Sequence, residues 1–316
     1  EFDVVLLGAT GFTGRLVAAY LLERYGAGRD LRWAIAGRDR ARLEAARAGL
    51  GEGAAALPLV IADAADEAAL DALAARTRVV CTTVGPYALY GSTLVAACVG
   101  RGTHYCDLTG EVHWMRRMID RHHDAARASG ARIVHTCGFD SIPSDLGVLF
   151  AQREMQRRHG VVCAAVHFRA REFRGGFSGG TIASMLNMLD EAERDPDIGR
   201  VLKDPYGLNP AGERRGLDGP ERTVPVFDPD FGGWVIPFVM GVINTKVVRR
   251  TNALSGYAWG HDFRYEEGTL MPFGPLGFPV AAAASSASAA FAAMASVGGL
   301  RRLIAGVLPK PGEGPS

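Results

Sequence analysis

Six short apolar runs alternate with helical segments through the first half of the chain, and no other feature restricts the fold as much. This alternation predicts parallel strands joined by crossover helices, with helices on both faces of the sheet. The predicted fold class is therefore α/β, a Rossmann-type doubly wound parallel sheet. The predicted strands are Asp3–Leu7, Leu31–Ala36, Leu57–Ile61, Arg78–Thr83, Thr103–Asp107 and Ala131–His135.

The second half of the chain has a different pattern. Val161–Phe173 alternates like one long strand, Thr181–Ala192 has helical spacing, and His261–Glu267 has the pattern of a further strand. A chain of 316 residues is long enough for two domains. We therefore predict a Rossmann domain over residues 1–145 and a mixed α+β domain over residues 146–316, part of which could pack back on the first.

Composition excludes several classes of protein. With 48% hydrophobic residues and five scattered cysteines without a CxxC pair, the chain is neither disordered nor a disulfide-stapled miniprotein. A formal net charge of +1 gives no electrostatic footprint for nucleic acid, and no nucleic-acid partner is predicted. The adjacent His122 and His123 diverge by about 100° on a helix, so no metal site is predicted. No signal peptide precedes the first strand, which favours a cytoplasmic protein.

The first predicted strand leads directly into a glycine-rich segment and then a helix. Residues 8–14 have the sequence GATGFTG, with GxxGxxG spacing. In this context, glycines let backbone N–H groups approach a pyrophosphate, which the helix N-terminus stabilises. The alternative is an ordinary glycine-rich turn. The predicted cofactor-binding residues of this segment are Gly8, Thr10, Gly11, Phe12, Thr13 and Gly14.

Arg38, after the second strand, bears on the choice of dinucleotide. An Arg at this place accommodates the 2′-phosphate of NADP, whereas an acidic residue binds the ribose of NAD. Arg38 therefore favours NADP (NADPH), although it could be a solvated surface residue, and Asp39 could be a ribose ligand or a helix cap. Asp63 could bind the adenine amino group or cap a helix. The other predicted cofactor-binding residues, beside the nicotinamide ribose, are Val84, Gly85 and Pro86.

Several segments together resemble the saccharopine dehydrogenase-like oxidoreductases, and within them the bacterial trans-acting enoyl reductases of polyketide-lipid biosynthesis. The resemblance is dense over residues 1–150. It implies a Rossmann domain that binds NAD(P), followed by a substrate and dimerisation domain, and therefore a possible homodimer. The segments that carry it are Gly8–Gly14, Ala36–Arg38, Val84–Tyr87, Tyr105–Glu111 and Gly138–Asp145.

Reduction of an enoyl group needs a hydride from the nicotinamide and a proton from an acid. Tyr87, after the fourth strand, is the first predicted proton donor and Tyr105 the second. Either could instead be a packing residue with a satisfied hydroxyl. No lysine follows a tyrosine at Tyr-x-x-x-Lys spacing, which disfavours the mechanism of short-chain dehydrogenases.

Acidic and hydroxyl side chains follow the fifth and sixth strands, at the edge where ligands bind. They could line a substrate site, but for each one alone we favour a structural role in capping helices and bracing loops. These residues are Asp107, Glu111, Asp140, Ser141 and Asp145.

The segment Gly268–Leu300 contains no charged side chain. Its Ala- and Ser-rich part is less apolar than a typical membrane span. We interpret it as core or a dimer interface; a lipid-facing groove or membrane surface is the second interpretation and a true span the third. Peripheral membrane contact is therefore left open.

The predicted function is an NADP-dependent reductase of a small-molecule or lipid-like substrate, an enoyl group on a polyketide or lipid intermediate. One alternative is a saccharopine-type dehydrogenase of an amino acid adduct, whose carboxylates would need the clustered Arg169, Arg171 and Arg174. Another is a cofactor-bound, non-catalytic scaffold at a lipid surface.

Overall fold

The computed structural model describes residues 1–172, 176, 178–310 and 312–314. The chain divides into two compact units. Unit 1 consists of Glu1–Cys137, Gly175–Asn187 and Leu308–Ser316, and unit 2 of Gly138–Arg174 and Met188–Val307.

Unit 1 contains a six-stranded parallel sheet, which confirms the predicted Rossmann-type fold class. Its strand order is β3-β2-β1-β4-β5-β6, so the chain starts in the middle of the sheet and the strand order reverses beside β1. The carboxyl ends of β1 and β4 lie side by side there, because Leu7 pairs with Thr82. The strands are β1 Phe2–Leu7, β2 Trp33–Gly37, β3 Leu59–Ile61, β4 Thr77–Thr82, β5 His104–Cys106 and β6 Ile133–Val134.

Helices follow the strands of unit 1, as the alternation predicts. Apolar residues of the strands and helices form a buried cluster that includes Leu6, Trp33 and Leu43. This packing holds the first helix against the sheet and so positions the turn before it. The helices are α1 Phe12–Tyr25, α2 Arg40–Gly49, α3 Glu67–Ala75, α4 Tyr87–Tyr90, α5 Ser92–Arg101 and α6 Val112–Ser129.

Unit 2 contains a mixed four-stranded sheet of order β7-β10-β9-β8, in which only β7 and β10 are parallel. Helix α8, Gly179–Arg194, begins in unit 1 and ends in unit 2. The other elements described for unit 2 are, in chain order, α7 Ile142–His159, β7 Ala165–Ala170, α9 Pro196–Lys203, β8 Val226–Asp228, β9 Gly233–Ile236, α10 Gly241–Leu254, β10 Arg264–Leu270, α11 Phe278–Ala295 and α12 Gly298–Val307.

Three boundaries in this half differ from the sequence prediction. The predicted domain boundary at residue 145 falls inside α7, all of which belongs to unit 2. The predicted strand Val161–Phe173 shortens to β7, because its partner β10 first pairs at Arg264 with Ala165; Phe173 lies outside the described residues. β10 likewise starts and ends three residues later than predicted, at Arg264 and Leu270.

The uncharged segment is mostly exposed. It comprises the end of β10, a short 3-10 helix at Gly274–Gly277, α11 and the start of α12. The helical stretch Gly274–Ala295 is the one helix among the described residues that is long and apolar enough to cross a membrane, and only 11% of its most apolar 18-residue window is buried. Within unit 2, the Trp234 indole packs against Phe278 at the start of α11, with the ring centroids 4.7 Å apart and the rings tilted. The interpretation as core is therefore wrong for most of α11.

Candidate functional site

The turn after β1 has the shape of a dinucleotide cradle. Gly8 has φ of 94°, a left-handed conformation that favours glycine. Its carbonyl accepts a hydrogen bond from the Gly11 N–H at 3.0 Å, which closes the turn. A Cβ on Gly8 would lie 2.7 Å from Thr83 Oγ1, and one on Gly14 would lie 2.8 Å from Ala9 Cα. Only glycine therefore fits at either position.

The N-terminus of α1 is open for an anion. Gly11 is the N-cap residue and no side chain caps the helix, so the first-turn N–H groups of Phe12 and Thr13 remain available. Their partial positive charge and the helix dipole stabilise a phosphate. Arg15 donates to Thr10 O at 2.9 Å and braces the turn from the helix side. An uncapped helix N-terminus after a glycine turn is the arrangement that binds a pyrophosphate in dinucleotide-binding folds.

The loop after β4 meets the glycine turn. Thr83 Oγ1 donates to Gly8 O at 3.2 Å, and a Cβ on Gly8 would lie 2.8 Å from Val84 Cγ2. Gly85 is close to Tyr87 and Ser184, both of which a Cβ at that position would approach to within 3.4 Å. The structure thus brings the predicted residues of these two loops together.

Arg38 is exposed at the carboxyl end of β2. No hydrogen bond or ion pair holds its side chain within the described part of the chain, so it is free to bind a phosphate. Asp39 is the N-cap of α2 and accepts from Arg42 N at 3.1 Å, which accounts for an acidic residue at this place. Asp63 accepts from Ala65 N at 3.0 Å but does not cap α3, because Asp66 does so.

Glu111 braces the loop that carries Pro86. It is buried, and its two carboxylate oxygens accept from Tyr87 N and Ala88 N, each at 2.8 Å. These are first-turn N–H groups of α4, which a carboxylate stabilises. These contacts give Glu111 the loop-bracing role that we favour for it from the sequence.

The two predicted proton donors are buried in unit 1. Tyr87 Oη donates to Thr82 O at 3.2 Å and accepts from Leu108 N at 3.4 Å. Tyr105 Oη donates to Asp107 Oδ2 at 2.8 Å. Burial raises the pKa of both phenols well above their usual value, and the nearby Asp107 carboxylate raises it further. Their role as proton donors stays a prediction.

His135, at the carboxyl ends of the unit 1 strands, was not among the residues predicted from sequence. Its Nδ1 lies 2.7 Å from Asp107 Oδ2, and its ring packs at 5.0 Å against Trp114. Asp107 follows β5 and His135 follows β6, which are neighbours in the sheet. A signal existed, since the fifth and sixth predicted strands end on these two residues.

The acidic and hydroxyl residues of unit 2 form a separate network. Ser141 occupies the N-cap position of α7 but makes no capping bond, so its predicted capping role is wrong; its hydroxyl donates to Asn244 Oδ1 at 2.7 Å. The same Asn244 donates to Glu267 Oε2 at 3.1 Å. Burial raises the pKa values of Asp140 and Asp145, as it does that of Glu267.

The arginines invoked for a saccharopine-type substrate do not form a free cluster. Arg169 is buried and paired with Asp228 and Glu266. Arg171 is exposed, and Arg174 lies outside the described residues. Among the described residues, no group of His, Cys, Asp or Glu side chains could hold a metal ion. No disulfide joins two cysteines among the described residues.

Comparison with known proteins gives the same assignment for unit 1. The family described as "Saccharopine dehydrogenase NADP binding domain" matches residues 4–134. A Mycobacterium bovis protein named "Trans-acting enoyl reductase" is 41% identical over 335 residues, which cover 100% of this chain and 77% of that protein. A Mycobacterium tuberculosis protein named as a candidate trans-acting enoyl reductase is 46% identical with the same coverage. The chain belongs to the family of these trans-acting enoyl reductases.

Like the proteins of this family, the chain has a saccharopine dehydrogenase-type NADP-binding domain, and it is an NAD(P)-dependent oxidoreductase with NADP as cofactor. Among solved structures it is similar to the saccharopine dehydrogenase (L-Glu forming) of Saccharomyces cerevisiae. The TM-score is 0.36 and the identity 21%, with 50% of this chain and 32% of that chain covered.

Proposed function

We propose that the protein reduces the carbon–carbon double bond of an enoyl group on a polyketide or lipid-like intermediate, with NADPH as reductant. The observation that carries the proposal is identity of 41% to 46% to trans-acting enoyl reductases over the full chain, combined with a complete dinucleotide cradle in unit 1. The name "trans-acting" supports a substrate presented by a separate protein.

The cradle residues bind and position the cofactor. The open N-terminus of α1 and the Gly8 turn would hold the pyrophosphate, Arg38 would hold the 2′-phosphate, and the Val84–Pro86 loop would lie beside the nicotinamide ribose. When bound, NADPH supplies a hydride at the nicotinamide. The chain contributes the position of the acceptor and the exclusion of water, which together account for much of the acceleration of such a transfer.

Absorbance at the NADPH band tests the proposal directly. With a panel of enoyl-thioesters of increasing acyl length, we expect NADPH oxidation above background and a KM that falls with chain length, because apolar burial grows with each methylene. The saturated thioesters are matched controls and should give no oxidation. Saccharopine, tested with NADP⁺, separates this function from that of an amino acid dehydrogenase. Absence of oxidation with every enoyl-thioester would contradict the proposal.

Arg169 argues against the alternative dehydrogenase. Its guanidinium is occupied by Asp228 and Glu266 and stacks over the Phe231 ring at 5.7 Å. A buried, fully paired guanidinium does not bind a substrate carboxylate without losing those partners. The enoyl reductase is therefore the function that the side chains support better.

The exposed start of the uncharged segment supports contact with a lipid surface. Phe273, Leu276 and Phe278 keep 69%, 86% and 50% of their surface accessible. Large apolar side chains at this exposure, on a stretch without any charge, are typical of interaction sites. A lipid surface fits a protein that reduces lipid-like intermediates.

We expect Leu276→Asp to abolish flotation with vesicles of phosphatidylcholine and phosphatidylglycerol. The substitution places a charge in the apolar layer, at a cost of about 2 kcal/mol or more. Leu217→Asp is the matched control, since Leu217 is also exposed in unit 2 but lies outside the uncharged segment. If the wild-type protein does not float and sediments as a dimer that Leu276→Asp dissociates, the surface is an interface between two copies instead.

A further inference from the structure

His135 and Asp107 lie at the ligand-binding edge of the unit 1 sheet. Tyr105 pairs with Ile133 and Cys106 with Val134, so β5 and β6 end side by side. Asp107 directly follows Cys106, and His135 directly follows Val134. In a doubly wound sheet the carboxyl ends of the strands line the crevice for the ligand. The pair therefore lies on the edge of the sheet where ligands of doubly wound folds bind.

Asp107 is built to hold the imidazole in one orientation. Its side chain is fully buried, and Oδ1 accepts from Thr109 N at 3.1 Å and from Thr136 N at 3.0 Å. Oδ2 accepts from Tyr105 Oη at 2.8 Å and faces His135 Nδ1 at 2.7 Å. These four contacts fix the orientation of the carboxylate. A carboxylate in this position accepts from the Nδ1–H of a histidine and so holds the ring in one orientation.

The other ring nitrogen is open. The imidazole is held edge-on by Trp114 at 5.0 Å and Tyr105 at 5.8 Å, and the side chain keeps 9% of its surface accessible. Nε2 makes no hydrogen bond to any described residue. The Tyr87 hydroxyl, in contrast, is bonded to main-chain atoms on both sides. Of the Tyr87, Tyr105 and His135 side chains, only that of His135 therefore has a polar atom without a hydrogen bond to a described residue.

We propose that His135 is the proton donor of the reduction and that Asp107 is its positioning residue. The inference rests on the proposed function. A bound NADPH would supply the hydride that forms the C–H bond at the β-carbon, and the C=C electron pair would move onto the thioester as an enolate. The Nε2–H of His135 would then give its proton to the α-carbon, which would leave a saturated thioester, NADP⁺ and neutral His135. Solvent water returns the proton to the imidazole.

His135→Asn tests the proton transfer with little change elsewhere, because the Asn amide can still donate to Asp107. We expect kcat on the best enoyl-thioester to fall about 10²- to 10⁴-fold, the range for removal of a general acid. NADPH affinity, measured by fluorescence titration, should change less than about twofold. His123→Asn, on an exposed face of α6, is the matched control and should behave like the wild type.

A further readout separates catalysis from folding. His135→Ala leaves space for a free imidazole, so added imidazole should restore part of its activity, which no structural defect would allow.

The outcomes distinguish the two levels of the inference. If the wild type reduces enoyl-thioesters and His135→Asn does so equally well, His135 is not the proton donor and the enoyl reductase function stands. If the wild type binds NADPH but reduces no enoyl-thioester, the proposed function fails and this role fails with it. Loss of activity in His135→Ala that imidazole does not restore, together with a lowered melting temperature, assigns the dyad a structural role.

Discussion

Gly14→Ala is expected to weaken NADPH binding about 100-fold. A Cβ at this position would overlap Gly8 O and lie 2.8 Å from Ala9 Cα, both rigid backbone atoms of the glycine turn. The helix must therefore move away from the turn, and its first-turn N–H groups lose their alignment with the pyrophosphate. Loss of one or two charge-assisted hydrogen bonds corresponds to about 2 to 3 kcal/mol of binding free energy.

Gly100→Ala is the matched control for this prediction. It makes the same substitution in α5, where a Cβ would meet no atom within 4 Å. Alanine is favoured over glycine in a helix, so this variant should bind NADPH normally and melt at the same temperature or higher. NADPH affinity of Gly14→Ala within about twofold of the wild type would contradict the role assigned to the turn.

The alternation of strands with helices and the glycine turn could be predicted because both are local in sequence. Each strand of unit 1 is followed along the chain by a helix, and residues 8–14 are contiguous. The strand lengths in unit 2 could not be predicted in the same way. β7 is limited by β10, whose pairing residue Arg264 is far along the chain from Ala165. An alternating pattern shows which residues can form a strand, but the partner decides which of them do.

Pairs of side chains joined by the fold were also missed. Ser141 and Asn244 are 103 positions apart, and no spacing rule connects them. Asp107 and His135 are 28 positions apart, but their contact could have been predicted, because the order β4-β5-β6 follows from the doubly wound fold. Polar residues that end neighbouring parallel strands are adjacent whatever their separation in sequence. Comparing strand ends in sheet order would have found this dyad.

The choice between NADP and NAD is expected to depend on Arg38. Its side chain is exposed and free of partners among the described residues, while the neighbouring Asp39 is engaged as the α2 N-cap. The acidic residue that could have bound the ribose of NAD is thus occupied, and the guanidinium remains available for the 2′-phosphate. A hydrogen-bonded charge pair of this kind contributes about 1.5 to 3 kcal/mol.

Arg38→Ala should therefore raise the NADPH dissociation constant about 10- to 100-fold and change the NADH constant less than about twofold. Added salt should weaken NADPH binding to the wild type more than to the variant, since an exposed charge pair is screened. Arg24→Ala removes the same charge from the far end of α1 and should alter neither constant. Equal losses for NADPH and NADH in Arg38→Ala would show that Arg38 holds the shape of the loop, and the 2′-phosphate would then need another partner.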